Sequence, residues 1–124
     1  MLEGQFDAVR ARFTGAEKTA LPGGATLIRV PVFPVAPGWN RRQTEVSFLA
    51  PAGYPYANPD CFWADADLRL ESGALPQASN VTHIPETPHV GLWFSWHLTQ
   101  AWNPNRDCLL TWLAAIAERF RKAQ

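Results

Sequence analysis

Apolar residues recur along this chain with helical rhythm at both ends and strand-like rhythm between. Leu2, Phe6, Val9 and Phe13 fall at helical spacing, and Gly15 is placed to stop the helix they define. At the far end Leu109, Leu113, Ile116 and Phe120 recur at steps of four, three and four, with Leu110 and Trp112 widening the stripe. The run Trp102-Asn103-Pro104-Asn105 predicts where that helix opens, since proline suits a first helical turn and Asp107 complements the dipole. In between, residues 25–33 are rich in β-branched and aromatic side chains and read as a strand, with Pro31 demoting it toward an edge or a bulge. Residues 36–42 make a turn, and Thr44–Leu49 returns as a second strand. Cys61–Trp63 is a short third strand. Leu68 and Leu70, alternating with Arg69 and Glu71, predict a fourth that stops at Ser72-Gly73. Residues 74–90 are proline-punctuated and predicted irregular. The pattern is α+β: an N-terminal helix, a four-stranded antiparallel meander, a long loop and a C-terminal amphipathic helix, one domain over residues 1–124.

Composition narrows the function classes. Hydrophobic residues at 47% and charged residues at 18% describe a chain that buries a core. Eleven basic and eleven acidic residues cancel, which argues against nucleic acid as partner. The basic cluster Arg119, Arg121, Lys122 suits the end of a helix. Two cysteines, Cys61 and Cys108, are too few for a disulfide framework, and no Cys/His spacing predicts a zinc site or other metal. No apolar run approaches the length of a membrane span and no signal core opens the chain, so a cytoplasmic location is expected. Six tryptophans, four of them in the last third, concentrate core or contact surface there.

Two motifs carry a resemblance. Tyr54-Pro55-Tyr56-Ala57-Asn58-Pro59 followed by Phe62 is similar to the Tyr-Pro-x-x-x-Pro-x-x-Phe segment of ubiquitin-conjugating enzymes. Trp102-x-Pro104 before a helix with Leu110, Leu113 and Ile116 resembles that family's Trp-Ser-Pro and the amphipathic helix after it. Their shared order over residues 25–120 is stronger than either motif alone. The resemblance implies the ubiquitin-conjugating (UBC-like) fold, with the long loop at the active site.

One departure bears on chemistry. The family's cysteine lies eight residues before the tryptophan, in a Gly-x-Ile-Cys run, and here Gly91-Leu92-Trp93-Phe94 puts Phe94 there. The His-Pro-Asn motif is absent too. Ser95 follows immediately, with His97 two residues on, and in extended backbone such residues share a side. A serine needs a neighbouring base to attack a carbonyl, which is what His97 would supply. Divergent bacterial members of the family resemble this pattern, and the resemblance implies an oxyester on Ser95 in place of a thioester. Oxyanion or supporting donors are sought among Asn80, His83, His89 and the backbone of residues 91–97. Cys108 is a minor rival nucleophile, and Cys61 is expected to be buried. A hydrolase using Ser95 and His97 is disfavoured because no acidic third member is visible.

The resemblance further implies an adenylating enzyme, a ubiquitin-like protein and a target protein as partners, with neither nucleic acid nor membrane, and no cofactor. Phe6, Arg10, Trp39 and Trp93 are the expected contact residues, the first two on the opening helix that such proteins offer the activator. A competing expectation is a non-catalytic variant that only binds the modifier or a partner enzyme.

Overall fold

A computed structural model describes residues 2–124. Helix α1 (Leu2–Arg12) is followed by β1 (Glu17–Ala20), β2 (Thr26–Pro34), β3 (Gln43–Ala50), β4 (Phe62–Ala64), β5 (Ser79–His83), β6 (Val90–Phe94) and helix α2 (Leu109–Phe120). All six strands form one antiparallel sheet in the order β1-β2-β3-β4-β6-β5. Helix α1 buries Phe6 and Val9 and stops before Gly15, whose φ of +87° a side chain would strain. Strand β2 lies inside the sheet despite Pro31. Its pairing with β3 shifts between Val30 and Phe33, a bulge that spares the ladder a missing N–H.

The expected meander of four strands gives way to six. Strand β1 is exposed along its whole length, so no apolar alternation marked it. The expected strand at Leu68–Glu71 is a turn: Leu68 N–H donates to Asp65 O, Leu68 is fully buried, and only Leu70 forms an isolated bridge, to Trp39. The expected irregular loop 74–90 holds β5 and the first residue of β6, paired from Ser79↔Phe94 to His83↔Val90. Its prolines (Pro76, Pro85, Pro88) punctuate the ends of that hairpin rather than its strands. Helix α2 begins at Leu109, not at Pro104. Residues 103–107 close a turn through Asp107 N–H to Asn103 O at 2.7 Å, and Cys108 is extended at the N-cap.

Both helices pack on one face of the sheet. There Phe33, Phe48, Phe62 and Phe94 meet Trp112, Leu113, Ile116 and Phe120, all at most 2% exposed. Trp39 enters this core from the β2–β3 connection, donates Nε1–H to Phe120 O at 3.0 Å and turns its edge to Phe94 and Phe120. Trp39 and Phe6, expected at a contact surface, are therefore core residues, 4% and 3% exposed, and offer a partner almost no area. The opposite face carries a smaller cluster of Leu21, Leu27, Trp63 and Ile84, with Leu49 and Trp93 packed against it. Gly91 fits there because a Cβ would stand 2.9 Å from Ala64 O and 3.0 Å from Trp63 Cβ. Among the described residues, no helix is long and apolar enough to cross a membrane.

Candidate active site at the end of β6

The two motifs quoted above meet in space. Trp102 donates Nε1–H to Pro55 O at 2.7 Å, and its ring lies 6.0 Å from that of Tyr54. Tyr54 donates its hydroxyl to Gln5 Oε1, which also accepts Leu109 N–H at 3.1 Å and so satisfies one free amide at the start of α2. Burial pushes the Tyr54 phenol above its ordinary value, and nearby Cys108 pushes the same way, so it remains a donor. One cluster thus ties α1, the proline segment and the entry to α2 together.

Phe94 is fully buried. Its ring stacks on Phe62 at 4.8 Å and 7°, and the Arg119 guanidinium lies 5.0 Å from its centroid. Arg119 is itself buried and donates to the carbonyls of Gln77, Lys122 and Gln124. Any group placed at residue 94 is sealed beneath these rings. Ser95 leaves the core: it is half-buried and lines a groove of about 610 Å³ with Gln77, Ala78, Trp96, Arg119 and Lys122. Ser95 N–H donates to Ala78 O at 2.9 Å, and β6 is paired on both sides. Little backbone in this stretch is left to serve an oxyanion.

His97 is held by a residue that sequence reasoning missed. Its Nδ1 pairs with the carboxylate of Asp60, just before β4. Among the described residues no hydrogen bond joins the ring to Ser95 Oγ. Strands β4 and β6 pair with Phe62 opposite Phe94, and Cys61 N–H continues the ladder to Trp96 O at 3.0 Å. That register brings residues 60–61 beside 95–97. With a carboxylate on Nδ1, the neutral ring carries its proton there and leaves Nε2 as an acceptor. A carboxylate partner for His97 thus lies 37 residues away along the chain. The side chains of His97 and Asp60 are 62% and 55% exposed, so the pair contributes little to stability and stays reachable from solvent.

Cys61 is half-buried and left-handed, with φ of 59°. Burial pushes its thiol above the ordinary value. Asp60 pushes the same way, while hydrogen bonding to the Trp96 backbone and the Trp93 side chain works against both. The metal-ligating atoms of Asp60, Cys61 and His97 all lie within 4.8 Å of one another. Asn80 stands opposite Trp93 in the ladder, one pair from Phe94, and is exposed. His83 and His89 are also exposed but lie at the other end of the β5–β6 hairpin, roughly 17 Å along the strand from Ser95. The structure does not bring them to Ser95. Arg10 is exposed on α1, and Trp93 is half-buried.

Residues 14–123 match a family described as Prokaryotic E2 family E. No curated protein matches the chain, and no solved structure does.

Proposed function

Since the chain belongs to prokaryotic E2 family E, whose membership points to ubiquitin-like conjugation, we propose that it carries a ubiquitin-like protein as an ester on Ser95. The observation that carries this reading is the contrast at the end of β6. Residue 94, where the family's thiol would fall, is sealed in the core, whereas Ser95 lines an open groove, and His97, two residues on, carries an imidazole backed by a carboxylate. In this reading Ser95 Oγ attacks the activated C-terminal carbonyl of the modifier, and His97 Nε2 takes the hydroxyl proton. The new C–O bond replaces the bond to the activating enzyme, which leaves. On transfer, an acceptor on the target attacks the ester, and His97 returns the proton to Ser95 Oγ. Asp60 holds the ring in the tautomer this needs. The ring is bonded to Asp60 and not to Ser95 Oγ, so the reading requires Ser95 Oγ to come to His97 Nε2 while Nδ1 stays on Asp60.

Mixing the protein with an adenylating enzyme, ATP and a ubiquitin-like protein is expected to give an adduct that resists reductant and yields to alkali. Ser95→Ala abolishes it, and His97→Gln slows its formation roughly 100-fold or more. An adduct that reductant cleaves, or that survives Ser95→Ala, overturns the assignment. Absence of adduct with retained non-covalent binding of the modifier makes the chain a docking variant, which the burial of Phe94 also allows.

A further inference from the structure

The donor set beside β4 supports more than proton transfer. Asp60 and Cys61 are adjacent in sequence, and His97 is delivered to them by the Phe62↔Phe94 register and by the Cys61–Trp96 hydrogen bond. One carboxylate oxygen, one sulfur and one imidazole nitrogen are thereby gathered within 4.8 Å of one another. Bonds of about 2.0–2.3 Å at tetrahedral angles place zinc-ligand atoms roughly 3.3–3.8 Å apart. The remaining adjustment is small, and exposed Asp60 and His97 side chains supply it by rotation about their own bonds. Magnesium and calcium prefer all-oxygen shells, so a sulfur and an imidazole select against them. Cys61 is fixed rather than mobile: its left-handed backbone, uncommon for a residue with a Cβ, is pinned by its N–H to Trp96 O.

We propose that Asp60, Cys61 and His97 form a three-ligand site for a divalent transition-metal ion, with Zn2+ the best match, and a water as fourth ligand. Binding releases the Cys61 thiol proton to solvent, moves the neutral imidazole's proton from Nδ1 to Nε2 through water, and replaces the Asp60–His97 hydrogen bond with two metal bonds. A loaded site takes His97 out of proton transfer and so holds back chemistry at Ser95. That last consequence rests on the reading above; the site itself does not.

The test is a titration of the full chain, reduced, with Co2+ as a spectroscopic stand-in. A thiolate-to-metal charge-transfer band saturating at one ion per chain, accompanied by four-coordinate visible bands and displaced by Zn2+, is expected. Cys61→Ser loses the charge-transfer band, His97→Gln and Asp60→Asn weaken binding, and Cys108→Ser leaves the spectrum unchanged. Circular dichroism confirms that each variant is folded, and the two exposed positions keep the test informative if Cys61→Ser is not. No charge-transfer band in the unaltered protein, or a band that depends on Cys108, overturns the site. Because no modifier or activating enzyme enters the experiment, it fails or succeeds independently of the Ser95 adduct.

Discussion

Phe94 and Ser95 are neighbours with different surroundings, and in the carrier reading proposed above that difference decides which of them could bear a modifier. Phe94 lies under Phe62, Trp39, Phe120 and the Arg119 guanidinium, while Ser95 lines the groove. Restoring the family's sulfur by Phe94→Cys is therefore expected not to restore a carrier. It removes a buried ring, at about 2–4 kcal/mol of stability in chemical denaturation. It also yields a thiol that alkylating reagents reach only on unfolding, measured against the Cys61 and Cys108 background. Rapid native-state alkylation at residue 94 contradicts the burial. At this scale the sequence exposed Phe94, Ser95 and His97, because they are consecutive or nearly so. It hid Asp60, because the pairing with His97 exists only through the β4–β6 register. Trp39 and Phe6 misled for a simpler reason: an aromatic side chain serves a core and a contact surface equally well, and only packing distinguishes them.

Among the elements, the entry to α2 shows how polar side chains set a boundary that apolar spacing leaves open. Asn103 N–H donates to Asp107 Oδ2 at 2.8 Å, and Asn105 N–H to Asn103 Oδ1 at 2.9 Å, so the chain turns once before helix begins at Leu109. The Asn103 hydrogen bond, and then Arg106, hold the Asp107 carboxyl below the usual carboxylate range. A depressed folded pKa stabilises the protein above the unfolded value, about 4, and that contribution is lost as pH falls through the folded value. Asp107→Asn is thus expected to lower the urea midpoint at pH 7, with a gap from the unaltered protein that narrows below about pH 4. A gap of equal size at pH 7 and pH 3 rules the carboxylate out as the cause. The two helices, β2 and β3 were legible because each buries an apolar face, and β4 because a short aromatic run follows the proline segment. Strands β1 and β5 were not: each lies at an edge of the sheet and exposes most of its residues, so nothing in its pattern separates it from a loop.

For the whole molecule, the informative contact is the one between the two motifs that carry the family likeness. Separated by 47 residues, Trp102 and Pro55 are joined by one indole hydrogen bond, with Tyr54 and Gln5 extending the link to both helices. Trp102→Phe keeps a ring beside Tyr54 but leaves the Pro55 carbonyl without its donor, an expected loss of about 1–3 kcal/mol. Hydrogen exchange reads the effect locally. The amides of Tyr54 and Tyr56, bonded to Pro51 O and Gly53 O, are expected to exchange faster in the variant than in the unaltered protein. Unchanged exchange there means the motifs share a family without sharing a mechanical role. The overall α+β order followed from spacing, but the sheet's count of strands and the non-sequential placing of β6 between β4 and β5 did not, since strand order leaves no periodic trace.

That interior placing of β6 has a mechanical outcome. The backbone of residue 95 is clamped by a neighbour on either flank. In the carrier reading proposed above, a cargo hung from it would swivel about its tether without wandering, and whatever receives it would have to travel there.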